Sequence, residues 1–525
     1  MSLVLLLECV AIALLSYLAY RHGRFFSKPA GLGLPPGPRG IPLVGSIMDL
    51  APRGVPDFLH WLKHKDSFGP VSSLTVMGQT LIICHDKEAA NEILHKNSAK
   101  TAARPAMGCA QRLCGFDRLM PFQQYDQAHR QARKMMYQQF GTRALASQFD
   151  HVQKMEARRF LLRLLQTPDD WMQHLQTMTA AIMLNMTYGY SIELDKVDRL
   201  VQKVEEMGAN VTAAFVPLTW ATDIIPALEY LPEGFPGTGF RKTARRHRKT
   251  AQEVVDTPYD FVQREMKQQR NRASFVSKLL QQSGDEPDED LIKWTATTLY
   301  AAGSETTVST LSAFILAMVN FPEVQRKAQA EIDAIVSTGS FPRIEDREKM
   351  PYIEAIIKEV YRWSPVAPMG VPHALEQDVV FHEYLLPRGA YVLPAMWWFC
   401  HDPAVYADPD AFCPERYLEP RKEPDILDFA FGYGRRICPG RYFADAGVWT
   451  SITQMLTVLD ISKAVDAQGV EVEAKLEYSV SLSGRPKKFA CRILPRSAKH
   501  EEMICMAETE YPWEKSHGDL LNWTG

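Results

Sequence analysis

The stretch from Phe429 to Asp445, FAFGYGRRICPGRYFAD, carries the residues best suited to chemistry. Gly432, Gly434 and Gly440 let the backbone turn tightly and approach a flat partner, and Cys438 sits just before a Pro-Gly step that can open a helix. Amides at a helix start stabilise an anion, so a thiolate there would be held deprotonated and ready for a soft metal centre. The same residues also describe a glycine-rich turn around a buried thiol. Upstream, Glu359 and Arg362 stand at i and i+3 of a helical pattern and share a face, which in isolation describes a solvated ion pair worth under about 1 kcal/mol. Pro414, Glu415 and Arg416 follow it. A third segment, Ala301, Ala302, Gly303, Ser304, Glu305, Thr306 and Thr307, puts small and hydroxylated side chains midway along a long helical pattern. Gly303 alone costs about 1 kcal/mol there relative to alanine, and close packing of a second helix explains such residues as well as chemistry does.

In register, Phe431, Gly434, Arg436, Cys438 and Gly440 match the pattern F-x-x-G-x-R-x-C-x-G, and on these residues the chain resembles the cytochrome P-450 family of haem-thiolate monooxygenases. Glu359 and Arg362 resemble the family's E-x-x-R helix, Pro414 to Arg416 its P-E-R meander, and AGSETT its A-G-x-[D/E]-T segment. The resemblance implies that Cys438 is the iron ligand, whose electron donation favours O–O cleavage. It gives Phe431 and Gly440 to the cofactor loop and pairs Arg436 with a haem propionate. Glu359, Arg362 and Arg416 are implied as a buried triad beneath the haem that serves structure and haem retention. On the distal face Thr306 is implied to donate a hydrogen bond to dioxygen, and Glu305 to link it to a proton supply. The helical pattern 125–140 carries His129, Arg130, Arg133 and Lys134. There the family often has a Trp-Arg pair, so Arg130 is implied as a second propionate donor although His129 replaces the aromatic residue. Arg133 and Lys134 read as a basic face, either solvated or docking an acidic redox partner. His373, in APMGVPHA, falls where the family places another propionate ligand.

The implied cofactor is haem b and the implied reaction is oxidation of a small organic substrate with O2, by hydrogen abstraction and hydroxyl rebound, using electrons from NADPH-cytochrome P-450 reductase. Protein groups would position and tune a chemistry that belongs to the cofactor. Pocket residues expected are the loop 107–113, Phe215, Ala301 and Ala302, 366–369 and 480–482; they are mostly apolar, which favours an apolar or aromatic substrate. The texture of PPGPRGIPLVGS, APMGVPHA and PERYLEP resembles fungal microsomal members of secondary metabolism, the O-methylsterigmatocystin oxidoreductase group among them. Desaturation, ring coupling or rearrangement are alternative outcomes for such a haem-thiolate enzyme. A carrier or sensor without turnover is a different class, against which Thr306 and Glu305 argue, because a carrier needs no proton delivery.

The elements that must position these residues read as mainly α with small β-sheets. Helical periodicity covers 125–140, 151–165, 288–320, 322–336 and 352–363; strand-like runs are 72–77 with 81–84, 379–386, 391–393, and late pieces near Val480 and Phe489. No repeat or low-complexity linker divides the 525 residues, so a single catalytic domain over 46–497 is expected, with haem between the long central helix and the cysteine loop. With 46% hydrophobic and 23% charged residues the chain can bury a large core, and a formal charge of −3 argues against nucleic acid as a partner. Nine cysteines without a C-x-x-C pair suggest neither a disulfide framework nor a zinc ribbon, and fit a reducing, cytosol-facing compartment.

Leu3 to Tyr20 is apolar for about 18 residues, roughly 27 Å as a helix, enough for the hydrocarbon core. Residues 1–24 are therefore expected to be a transmembrane anchor. Arg21, His22, Arg24 and Lys28 place the rest of the chain in the cytosol by the positive-inside rule, hence at the endoplasmic reticulum membrane. The rival, a cleaved signal peptide, lacks a basic leading region and a small-x-small cleavage site. Residues 25–45 read as a stiff proline-rich lead, or an ordinary linker, and 498–525 as a polar, loosely held tail.

Overall fold

Apolar residues at helical spacing dominate the chain, and the helices they specify carry the architecture. A computed structural model describes residues 32–523 except 43, 53, 194–196, 216–219, 221, 223–225, 283–286, 338 and 480–482. The expected anchor, 1–24, and the expected pocket residues 480–482 lie outside the described residues. The principal helices are α1 (Gln127–Phe140), α2 (Asp150–Gln166), α3 (Trp171–Tyr188), α4 (Arg199–Ala214), α5 (Gly239–Lys267), α6 (Glu289–Asn320), α7 (Pro322–Ile335), α8 (Pro351–Trp363), α9 (Arg441–Val458) and α10 (Ala498–Glu510).

Helix α6 is the axle. Its N-cap Asp288 accepts from the Leu291 amide at 3.1 Å, and Pro322, which lacks an amide proton, opens the next helix. It packs on α3, α5 and α9 and is buried on all sides over most of its length, which is why its apolar residues follow no single stripe. Among the described residues it is the one helix long and apolar enough to cross a membrane, and it is the core helix of this fold.

The strands are β1 (Val71–Val76), β2 (Gln79–Cys84), β3 (His373–Ala374), β4 (Val379–Phe381), β5 (Tyr384–Leu386), β6 (Tyr391–Pro394), β7 (Leu459–Lys463) and β8 (Cys491–Pro495). A four-stranded sheet runs β1-β2-β6-β3, with Leu74 opposite Leu81 and Ile82 opposite Val392; two antiparallel pairs, β4-β5 and β7-β8, complete the β structure. The run 379–386 is a hairpin broken at His382, which takes φ +49°. The late strand begins at Cys491 and pairs with β7, which follows α9 without a loop and so was hidden in the helical pattern.

Two expectations change. The described part of the proline-rich lead lies against the sheets: the Ser73 amide and hydroxyl donate to Pro36 O at 2.8 Å and Pro35 O at 2.6 Å, and the Leu385 amide donates to Gly33 O at 2.8 Å. The tail is not loosely held. Met503, Ile504 and Ala507 bury a narrow stripe of α10, which packs on α2 and α9, and Arg159 donates to Tyr511 O at 3.3 Å and Pro512 O at 2.6 Å. Three apolar residues in a polar segment suffice because α2 supplies the complementary groups.

Candidate active site

The cysteine loop is closed by backbone bonds. The Cys438 amide donates to Phe431 O at 2.8 Å, Arg436 to Tyr433 O at 3.0 Å and Ile437 to Gly434 O at 3.2 Å, and α9 starts from the N-cap Gly440. Gly434 has φ +51°, and a β-carbon there would stand 2.7 Å from Ser98 Cβ and 2.8 Å from Leu94 O, so only glycine fits. Gly440 is different. Its φ of −90° suits any residue and a β-carbon would meet nothing within 4 Å, so the protein itself gives no reason for glycine. Phe431 lies edge-on to Tyr361, 5.5 Å between ring centroids.

Cys438 is half-buried, and the Gly440 amide donates to its sulfur, with Arg133 and Arg441 nearby. Burial outweighs these groups and pushes the thiol pKa up. The helix start and the two arginines therefore do not by themselves offset the burial of this thiol, contrary to the expectation that the helix start would hold it as thiolate.

Around the loop lies a cluster of cations. Arg436 donates to Ala102 O and Gln123 O, both at 2.7 Å, and reaches His129 Nδ1 at 3.1 Å. Buried Arg104 donates to Pro121 O at 2.7 Å and to Val371 O and Pro372 O at 2.8 Å. Arg133 donates to Ile437 O at 2.8 Å. His373 is buried and its Nδ1 donates to Thr101 O at 2.8 Å; burial, then Arg104 and Arg436, push its pKa far down. Burial and the four arginines Arg436, Arg133, Arg104 and Arg130 lower His129 to about 3, so it is neutral. Among the described residues none of Arg104, Arg133 and Arg436 pairs with a carboxylate. Buried and half-buried guanidiniums without a counter-charge are costly, so this cluster fits a ligand bearing carboxylates, as haem does.

Arg130 shares the Tyr125 ring with Arg436. It is exposed, its guanidinium 5.7 Å from the Tyr125 ring centre, while His129 and Arg133, four residues apart, occupy the inward face of α1. Lys134 stays in solvent. Arg104 was missed by sequence reasoning, since nothing in TAARPAM marks it.

On the other side, α6 opens. Ala302 and Thr306 are exposed in the middle of an otherwise buried helix. Gly303 serves packing, because a β-carbon would lie 2.4 Å from Met183 Cε on α3. Thr306 Oγ1 donates back to Ala302 O at 2.8 Å and Thr307 Oγ1 to Gly303 O at 2.7 Å, bonds that loosen the helix locally. Glu305 turns elsewhere: Ser483 Oγ donates to its Oε1 at 2.7 Å and Arg485 lies 3.3 Å from its Oε2. The two residues implied to act together thus diverge by one helical step. Ser483 and Arg485 were not found from sequence, since their partner is far away in the chain.

Gly484 ties this loop down, its amide donating to Val366 O at 2.7 Å and its carbonyl accepting from Ser309 Oγ at 3.2 Å. Segments 366–369 and 483–485 are thereby brought to α6. Phe215 stacks on Phe122 at 3.9 Å, and Gln111 shapes the loop 107–113 by donating to Pro105 O at 2.9 Å and Phe122 O at 3.2 Å. Glu205 on α4 is exposed, yet partial desolvation raises its pKa, and Arg485 and Glu305 are near enough to act on it.

Behind the cysteine loop, Glu359 accepts from Arg362 Nε at 2.7 Å and Nη2 at 2.8 Å, from Arg416 Nε at 3.0 Å and from the Cys413 amide at 2.8 Å. All three side chains are 0% exposed, so the solvated-pair alternative is excluded.

The sequence matches the cytochrome P-450 family model over residues 35–484. It is 46% identical to a multifunctional cytochrome P-450 monooxygenase of Aspergillus fumigatus over 98% of this chain and 97% of that one. It is 44% identical to a cytochrome P-450 monooxygenase of Gibberella zeae over 93% and 94% of the two chains, and 37% identical to the O-methylsterigmatocystin oxidoreductase of Aspergillus flavus over 92% of each. A solved zebra fish cytochrome P-450 shares the fold, with TM-score 0.66 at 21% identity, covering 84% of this chain and all of that one. The chain belongs to the cytochrome P-450 family. It is a haem-dependent monooxygenase with haem b as cofactor, and its reaction takes O2, an organic substrate and a redox partner.

Proposed function

We propose that this protein is a membrane-anchored monooxygenase of fungal secondary metabolism that oxidises a small, mostly apolar or aromatic substrate, with Cys438 as the iron ligand. The observation that carries the site assignment is the unpaired cluster of Arg436, Arg104 and Arg133 beside the half-buried Cys438. When bound, haem b supplies reductive activation of dioxygen and insertion of one oxygen atom into the substrate.

The chain's own residues do the rest. Arg436 and Arg104 would hold the propionates and Gly440 would let the ring approach, while His373, whose Nδ1 is committed to Thr101 O, would join them by taking a proton at Nε2 that the propionate charge stabilises. Phe431 and Tyr361 pack beside the sulfur. Thr306 releases its bond to Ala302 O and turns its hydroxyl toward dioxygen. Glu305, held by Ser483 and Arg485, passes protons from the side of α4. The aromatic pair Phe122 and Phe215 and the loop 107–113 exclude water and orient an apolar substrate, and Glu205 with Arg485 recognises a polar substituent on it.

Residues 1–24 anchor the protein in the endoplasmic reticulum membrane with the catalytic domain, 46–497, in the cytosol, and NADPH-cytochrome P-450 reductase delivers electrons. The apolar run Leu3 to Tyr20 and the following basic residues support the anchor. The oxidoreductase activity for which the Aspergillus flavus relative is named supports the metabolic setting. Comparing metabolites of a deletion strain with its parent under labelled dioxygen tests this. A missing product carrying one labelled oxygen is expected; an unlabelled missing product would replace oxygen insertion by desaturation or coupling.

A further inference from the structure

Of two cysteines that the haem chemistry does not use, Cys109 lies in the loop 107–113 expected to face substrate and Cys114 directly follows it. Cys109 and Cys114 bracket a π-helical turn, Cys109–Leu113, closed by the Cys114 amide donating to Cys109 O at 3.0 Å. This closure sets the two residues one turn apart, their thiols hydrogen-bond to each other, and both are fully buried. Cys114 Sγ also lies 3.9 Å from His247 Nδ1 on α5, and Arg248 packs over Gly115, its Nε 3.4 Å from where a β-carbon would stand. The Phe116 ring stacks with His247 at 6.4 Å and meets Phe215, an expected pocket residue, at 6.5 Å.

A single buried thiol is inert, but two thiols in contact, one of them beside an imidazole and a guanidinium, form an attacking and a resolving pair. We propose that Cys109 and Cys114 are a redox pair, closed to a disulfide by hydrogen peroxide, that controls the loop 107–118. The inference rests on the proposed function only in assigning that loop to the substrate pocket. The bond from Cys109, against burial, together with His247 and Arg248 brings the Cys114 thiol down to about 6, which marks it as the attacking member of the pair.

The Cys114 thiolate attacks one peroxide oxygen; the O–O bond breaks, a sulfenic acid forms and hydroxide takes up a proton as water. The Cys109 sulfur then attacks the sulfenic sulfur, loses its proton, and the second oxygen leaves as water. Two thiols lose two electrons and one peroxide gains them. The disulfide removes the Cys114 contact to His247 and so frees the turn from α5, and cytosolic thiols reverse it.

Trypsin cuts after Arg112, between the two cysteines, so a disulfide joins peptides 101–112 and 113–118. Full-length haem-loaded protein is treated with stoichiometric peroxide, alkylated and digested. The linked pair, lost on reduction with dithiothreitol, is expected, along with faster amide exchange over 107–118. Cys114→Ser should abolish the linkage, and Cys109→Ser should leave a sulfenic acid on Cys114 that dimedone traps; an unchanged haem spectrum in each variant shows that it folds. Both cysteines alkylated as before peroxide, Cys114 linked to another cysteine, or unchanged exchange in the oxidised form would overturn the proposal. None of these readouts depends on the substrate, so failure here leaves the proposed function intact.

Discussion

Replacing Glu359 by glutamine keeps its shape and removes one charge from a buried network of three. In the parent, Oε1 accepts three hydrogen bonds, from Arg362, Arg416 and the Cys413 amide, and Oε2 accepts one from Arg362 Nε. A glutamine side chain offers one accepting oxygen, and its amide nitrogen faces a guanidinium that can only donate. Arg416 keeps a second carboxylate, Glu423 at 2.7 Å, whereas Arg362 is left with the carbonyls of Cys400, Pro409 and Ala411. The uncompensated charge is therefore that of Arg362, at 0% exposure. Removing one partner of a buried pair costs about 3–5 kcal/mol, roughly a hundredfold to several thousandfold in the folding equilibrium. Against a total stability of about 5–15 kcal/mol this is a large share. The assay is denaturant unfolding of haem-loaded protein followed by Soret absorbance, with haem content per chain measured in parallel. Glu415→Gln is the control: its charged partner Lys327 is exposed and a glutamine oxygen can still accept from the Tyr352 hydroxyl, so it should cost less than about 1 kcal/mol. If Glu359→Gln unfolded within about 1 kcal/mol of the parent and kept its full complement of haem, the reasoning about the triad would be refuted.

Thr306→Ala should leave the Soret spectrum unchanged while NADPH oxidation yields peroxide in place of product; unchanged coupling, measured as product per NADPH, would remove Thr306 from proton delivery. Burial lowers His64 and His85 to about 4 and His401 to about 3, below the 6.5 of an exposed ring. The unfolded chain then binds more protons between pH 6.5 and those values, so stability is complete above pH 6.5 and falls as acid is added. Each contributes about 1.4 kcal/mol per pH unit across that window, and His85→Phe should make the acid limb of a stability-pH curve measurably shallower; an identical limb would contradict the assignment.

What could be read from the sequence was whatever its local pattern fixes. The bounds of α6 follow from Asp288 and Pro322, the turn at Gly434 from a glycine that nothing else can replace, and the triad from a motif whose members have few other uses. The outward placement of Arg130 was legible. The stripe Ala132, Met136 and Phe140 on α1 puts His129 on the buried face and leaves Arg130 outside. The grip of Ser483 and Arg485 on Glu305 spans nearly the length of a domain in sequence and leaves no local mark. Arg104 is defined only by the carbonyls folded around it, and α10 only by the surface of α2 that it covers.

All of the proposed chemistry passes through the sulfur of Cys438, and carbon monoxide reports on it directly. Parent and Cys438→Ser proteins, both expressed with ample haem precursor, are reduced, exposed to carbon monoxide and scanned. The parent should give the red-shifted Soret band diagnostic of a thiolate ligand and the variant should lack it. A variant that kept the band, or a parent that bound haem yet never gave it, would contradict the assignment of the iron ligand.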